Sequence, residues 1–250
     1  MSALAHDMDA SSATRTALQV AFDRAWRLPE AAGRGVVLAF ADLSDWRPWR
    51  EEAAGLLSPA ERERVQRKRR PIDQEELTLT YALHRLFLGA IRNLSPHEVP
   101  LARDAEGRPC LHGWAGGTSL SHASGAAAFV FSPSGAVGID VESRARTAVM
   151  DELVAQVAHP AERAALPSGA LRNEALLALW VRKEAFLKAA GVGLACEMDT
   201  FRATEGEVLD TGLAGAAVPQ RVRLSAWDLH PGFQLALASP PDLPVQAQRL

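Results

Sequence analysis

Two acidic residues in an apolar segment are the first candidates for chemistry. Residues 136–142 read Ala-Val-Gly-Ile-Asp-Val-Glu, a short extended run in which Asp140 and Glu142 stand two positions apart. On a strand that spacing puts both carboxylates on one face. Like charges side by side in an apolar setting destabilise each other and lose hydration, so water or a cation must compensate them. A second group lies at 180–188, where Trp180, Glu184 and Lys188 recur every four residues along one helix face with Lys183 beside them. Three carboxylates converging on a point make a hard oxygen site suited to Mg²⁺ or Mn²⁺. Mg²⁺ held by so few carboxylates completes its shell with water and substrate phosphates, and Lys183 and Lys188 would neutralise the remaining phosphate charge. The set supplies the positioning and electrostatics that chemistry at phosphorus needs.

Each group has a plainer reading when taken singly. Glu184 and Lys188 can be a surface i,i+4 pair, and Asp140 and Glu142 can face water on an edge strand. An internal duplication decides between these readings. "SPAER" at 58–62 is echoed by "HPAER" at 159–163, an offset of 101 residues. The same offset lays 36–43 over 137–144 and 79–91 over 180–192, and "AFVFSP" (128–133) resembles "LALASP" (235–240). Under it Asp140 replaces Ala39, Glu142 replaces Ala41, Glu184 replaces Leu83 and Lys188 replaces Phe87. A fold that accepts Ala, Leu and Phe at these positions does not need the charges for packing, which makes them a candidate site.

The elements that position these groups follow from the pattern. Each half reads as strand, loop, short Pro-started helix, longer helix and then strands, with helices expected over Ser58–Arg70, Gln74–Ile91 and Asn173–Ala190. The expected fold class is α+β: two similar subdomains, each a small sheet with a long helix, related by a pseudo-twofold axis with a cleft between them. The division expected is a flexible extension over 1–34, an N-terminal subdomain over 35–133 and a C-terminal subdomain over 134–250.

The 250 residues carry a net charge of −3, with 48% hydrophobic and 23% charged residues, so neither a mainly electrostatic nucleic-acid binder nor a membrane protein is expected. Only Cys110 and Cys196 are present, without metal-type spacing, and 1–30 lack an apolar leader core, which points to the cytoplasm. "ERERVQRKRR" (61–70) is by default a solvated helix face, of which a subset such as Arg64 could bind phosphate. His122, in "SLSHASG" (119–125), is either a structural histidine or a phosphate donor, and Arg108 follows Gly107 in a turn.

"GRPCL" (107–111), "SLSHASG" (119–125), "VGIDVE" (137–142) and "LWVRKEAFLKAAGVGL" (179–194), with "LSPAERERV" (57–65) as a weaker fifth, resemble the motifs of the surfactin-type 4′-phosphopantetheinyl transferases. The resemblance implies an Mg²⁺-dependent transferase, with Mn²⁺ as an alternative ion. Such an enzyme moves the phosphopantetheine arm of coenzyme A onto a serine of an apo acyl or peptidyl carrier protein and releases adenosine 3′,5′-bisphosphate. It further implies a cytoplasmic monomer with coenzyme A in the cleft, its nucleotide end on the N-terminal subdomain and the metal on the C-terminal one. Family roles then fall on Asp140, Glu142 and Glu184 as metal ligands and on Glu184 as the base toward the serine. Lys188 and Lys183 fall on the pyrophosphate, and Arg64, Arg108, Ser121 and His122 on the nucleotide. Ala123, Arg108, Glu61 and Glu76 depart from the family pattern around the 3′-phosphate. Two other readings are a carboxylate-pair hydrolase and a non-catalytic module that binds coenzyme A or a carrier.

Overall fold

The strand runs 36–41 and 126–131 are almost wholly apolar because both of their faces are covered. In the computed structural model, which describes residues 15–28, 33–104, 107–169 and 171–250, strand β1 (Val36–Asp42) turns Val37, Ala39 and Ala41 into one core and Val36, Leu38 and Phe40 into another. The first core holds helices α1 (Ala17–Ala25), α2 (Arg50–Leu56) and α4 (Pro71–Arg92), with α3 (Pro59–Gln66) leading into α4. After α4 the chain makes a small hairpin, β2 (Leu101–Arg103) and β3 (Pro109–Leu111). A longer hairpin follows, β4 (Gly117–Ala123) and β5 (Ala126–Ser132). Its two-residue turn puts Ser124 at φ 42° and Gly125 at φ 91°, the doubly positive pair that suits the twist of a tight hairpin.

The second half begins with β6 (Gly138–Ser143), a 3₁₀ segment (Arg144–Leu153), and helices α5 (Val154–Val157), α6 (Pro160–Ala165) and α7 (Leu171–Ala190). Strands β7 (Val208–Asp210), β8 (Arg221–Trp227), β9 (Phe233–Ser239) and β10 (Val245–Arg249) complete it. One sheet runs β10-β1-β5-β4 and another β6-β9-β8-β7. Val36, Leu38, Phe40 and Val130 of the first meet Ile139, Val141, Leu235 and Leu237 of the second in a shared inner core. Helix α7 covers the outer face of the second sheet through Ala236 and Ala238. The architecture is thus mixed α+β, and Val141 faces inward as its alternation with Asp140 requires.

The two halves can be compared strand by strand. Strands β1-β5-β4 and β6-β9-β8 share one antiparallel order, and each half carries a long helix against its sheet. In each half a Pro-started short helix is closed by a capping box, Ser58 with Glu61 and His159 with Glu162. The same glutamates reach a cation on the long helix, Glu61 to Arg85 at 2.7 Å and Glu162 to Lys183 at 2.6 Å.

Two expectations about the organisation are corrected. Residues 1–34 are not a loose extension where they are described: Thr16 caps α1, Leu18 and Phe22 are buried, and Trp26 stacks on Phe22 and meets Phe87 edge-on. Positions 1–14 and 29–32 lie outside the described residues. The C-terminal unit does not keep its own end, because β10 lies parallel to β1, with Val36 opposite Val245. Its pairing covers a sheet edge that would otherwise present bare N–H and C=O groups. The helix expected over 58–70 is also shorter, since α3 stops at Gln66 and α4 restarts at Pro71.

Gly138 sets the distance between β6 and α7. A Cβ there would overlap the Ala185 carbonyl oxygen and the Ala189 nitrogen of α7, so only glycine lets the helix backbone rest on the strand. Gly138→Ala is therefore expected to cost about 1–3 kcal/mol or more as overpacking, read as a lower midpoint in urea unfolding.

Candidate functional site

Gly138, Asp140 and Glu142 share the β6 face that looks at α7. Asp140 is only 6% exposed, yet one of its oxygens, Oδ1, accepts two hydrogen bonds: from Ser121 Oγ on β4 and from Lys188 Nζ on α7, each at 2.7 Å. One carboxylate thus joins a strand of the first sheet to the long helix of the second half. Glu142 accepts from Arg146 Nη1 at 2.7 Å and from the Ser143 amide at 3.0 Å. Glu184, one turn before Lys188, accepts no hydrogen bond from the described residues. Burial first, and then the neighbouring Asp140, push its pKa up, against the pull of Lys188 and Arg146, while Glu142 adds to the rise.

Among the described residues, no three His, Cys, Asp or Glu side chains form a ready-made metal site. The donor set nevertheless fits Mg²⁺, which takes hard oxygens, commonly from one or two carboxylates, and leaves the other positions to water and phosphate. Glu184, partly buried and without a hydrogen-bond donor of its own, is the acid that such a cation would most relieve.

Beside this cluster lies a cleft of about 450 Å³ whose walls include Arg64, Lys68, Arg103, Ser121, His122 and Lys188. A second cavity of about 220 Å³ shares Arg103, Leu120 and Lys188 with it and continues to Gly107 and Arg108. The fold therefore gathers Arg64, Ser121, His122 and Lys188 around one space and sets Arg108 at its extension. Arg108 is paired with Asp104 at 2.9 Å and lies against Gly191, just past the end of α7, where φ is 73° and a side chain would overlap the guanidinium. Burial first, and then Lys68 and Lys188, push the His122 pKa down; Asp73 opposes them and Arg103 adds to them. With so many arginines and lysines along its walls, the cleft suits a polyanion.

Sequence reasoning missed three lining or bracing residues. Arg103 lies 4.8 Å over the Tyr81 ring and donates to the Gly107 carbonyl at 2.8 Å, holding the turn that presents Arg108. Nothing local marked it, because only the fold brings β2 under the cleft. Lys68 follows Arg64 by four residues, so the helical spacing within 61–70 could have singled it out. Arg146 lies four residues beyond Glu142, a spacing that drew no attention outside a helix. Trp180, on the same helix face as Glu184, is half-buried and carries the Arg146 guanidinium 4.9 Å above its ring.

Lys183 is a correction. It is fully buried, and its Nζ donates to the carbonyls of Val157, Met198 and Phe201 and to Glu162 at 2.6–2.9 Å. Adjacent helix residues point roughly 100° apart, so a lysine next to Glu184 is carried away from the cleft. Its place is in the second core, where it cannot support a pyrophosphate. Glu61 does not line the cleft: it is buried, caps α3 and pairs with Arg85.

The described residues thus form a two-sheet α+β scaffold in which acids and bases meet beside a cationic cleft. Residues 136–238 match the family model of the 4′-phosphopantetheinyl transferase superfamily, so this segment is a domain of that superfamily. The match runs from the entry to β6 through β9 and includes Asp140, Glu142, Glu184 and Lys188, while the residues of the first half lie outside it. The matched domain supports phosphopantetheine transfer in general terms. No curated protein matches the chain. No helix among the described residues is long and apolar enough to cross a membrane.

Two outcomes follow from this geometry. Lys183→Met leaves Glu162 buried without its cation and is expected to cost about 3–5 kcal/mol, measured by chemical denaturation. An anion beside His122 favours the charged ring, so sulfate is expected to raise the pKa of His122 from its depressed value. Anion binding then takes up a proton and strengthens as pH falls through that window. Ring-proton NMR titration with and without sulfate reads the shift directly; an unmoved His122 titration would count against an anion site here.

Proposed function

We propose that the protein transfers the 4′-phosphopantetheine moiety of coenzyme A to a serine hydroxyl of an apo acyl or peptidyl carrier protein, with Mg²⁺, releasing adenosine 3′,5′-bisphosphate. The observation that carries this reading is Asp140, held between Ser121 and Lys188 at the edge of the cationic cleft. In this reading the two halves relate by a pseudo-twofold axis, coenzyme A lies between them, and the protein acts as a cytoplasmic monomer. The nucleotide end belongs to the first half, where Arg64, Lys68, Ser121 and His122 meet its phosphates and Arg108 borders the extension.

Asp140, Glu142 and Glu184 would hold the divalent cation, which when bound neutralises charge on the pyrophosphate. Glu184 accepts the proton of the incoming serine hydroxyl, a role suited to a carboxylate whose basicity burial has raised. The serine oxygen forms a bond to the phosphorus that carries pantetheine, and the bond from that phosphorus to the bridging oxygen breaks. The electron pair leaves with adenosine 3′,5′-bisphosphate, whose growing charge Lys188 and the cleft arginines stabilise. Lys183 has no part in this step.

Incubation with coenzyme A, Mg²⁺ and a panel of apo-carrier proteins is expected to add one phosphopantetheine to a carrier serine, seen by intact-mass measurement. Asp140→Ala is expected to lower the rate by about 10²–10³-fold while the protein stays folded. Absence of the mass gain on every carrier, with the wild-type protein demonstrably folded, would overturn the proposal.

A further inference from the structure

Arg146 has no role in the scheme above, yet its placement is specific. It lies in the 3₁₀ segment that follows β6 and donates Nη1 to Glu142 Oε2 at 2.7 Å. Its guanidinium sits 4.9 Å over Trp180, one turn before Glu184 on α7. Its Nε is buried with no hydrogen-bond partner among the described residues. A buried donor without an acceptor opposes folding, so Arg146 is held here by the ring and the carboxylate and not by full satisfaction of its fork. Lys188 stands in the same relation to Asp140. Two acids of the cluster therefore each carry a side-chain cation, and Glu184 carries none.

We propose that Arg146 is the resident counter-ion of Glu142, which a divalent cation must displace to reach that carboxylate, so that Arg146 sets the metal affinity of the free protein. The proposal rests on the reading of Asp140, Glu142 and Glu184 as the metal site. Arg146 opposes metal entry in two ways: it occupies a ligand oxygen and it repels an approaching cation. Displacement leaves its guanidinium in need of an acceptor, a need that an arriving phosphate meets. Metal and phosphate then favour each other's binding, because each removes a cost the other would face alone. A protein built this way takes up Mg²⁺ weakly by itself and more firmly with its anionic ligand.

The test is calorimetric titration of the full chain with Mg²⁺, without coenzyme A, for the wild type and for Arg146→Met. Methionine keeps an apolar body against Trp180 and removes the charge and the donors. The variant is expected to bind Mg²⁺ about three- to tenfold more tightly, the size of a partly exposed ion pair. Mg²⁺ is also expected to shift the Trp emission of the wild type, and the shift is expected to be lost in Trp180→Phe and in Arg146→Met. Equal or weaker Mg²⁺ binding by a folded Arg146→Met, with measurable binding by the wild type, overturns the role of Arg146 and leaves the metal site standing. No binding by either protein overturns both. Should Arg146→Met fail to fold, Arg146→Lys, which keeps the charge but loses the planar fork, is expected to bind Mg²⁺ more tightly than the wild type by a smaller factor, and an unchanged affinity overturns the proposal.

Discussion

The carboxylate of Asp140 is the constraint on which the arrangement turns. It lies on a strand whose alternate residues enter the inner core, and at 6% exposure it has lost most of its hydration. A buried charge persists only when its partners are close, and both partners of Asp140 come from outside its own sheet. Ser121 supplies a donor from the first sheet and Lys188 supplies a cation from the helix that Gly138 allows onto the strand. Ser119 adds a bond from the same strand as Ser121, its hydroxyl accepting from the Ile139 amide at 3.3 Å. The carboxylate that serves the candidate site is thus also a tie between the halves, so its geometry is fixed by the fold and not by ligand alone.

The two halves use comparable elements for packing in one place and for polarity in another. In both, a capping-box glutamate of the short helix turns inward to a cation of the long helix, Arg85 in one half and Lys183 in the other. That shared ion pair fixes the short helix against the long one. The strand and helix positions facing the site are apolar in the first half, where Ala39 and Leu83 lie in the core against Phe129 and Phe87. At the same offset in the second half, Asp140 and Glu184 lie outside the apolar cluster, and Asp140 bonds to Ser121 and Lys188 on the cleft wall. Location outside that cluster makes the polar substitutions tolerable.

Much of this was legible in the residues, and the misses have physical causes. The strand runs, the Pro-started short helices and the 101-residue offset were readable because each is a local pattern. The direction of Lys183 was not, because α7 buries residues on most of its circumference, from Leu176 and Leu177 through Val181 to Leu187. A helix without a wet side offers no periodicity from which to infer which lysine faces solvent. Helix α1 did carry a signal, Leu18, Phe22 and Trp26 at steps of four, but an Ala- and Ser-rich neighbourhood outweighed it. Strand β10 is short and partly polar and pairs with the far end of the chain, a long-range choice that no local feature encodes. Arg103 and Arg146 were invisible for a related reason: each is defined by what the fold sets beneath it, Tyr81 and Trp180.

The electrostatics of the free protein explain why acids and bases can share so small a space. Burial acts on Glu184 and His122 in the same sense, toward the neutral form, raising the acid and lowering the base. Their neighbours push further in that direction, Asp140 on Glu184 and the lysines on His122. The carboxylate cluster therefore holds an acid that gains from a cation, and the cleft holds a base that gains from an anion. The protein's own side chains meet these needs only in part: Lys188 and Arg146 pull on Glu184 and Asp73 on His122, but Lys188 is hydrogen-bonded to Asp140 and Arg146 to Glu142. A ligand that brings negative charge to the cleft, together with a cation for the acids, relieves both at once. In the function proposed above, a site with this charge division would favour the pair over either partner alone, the selectivity that such a transfer needs.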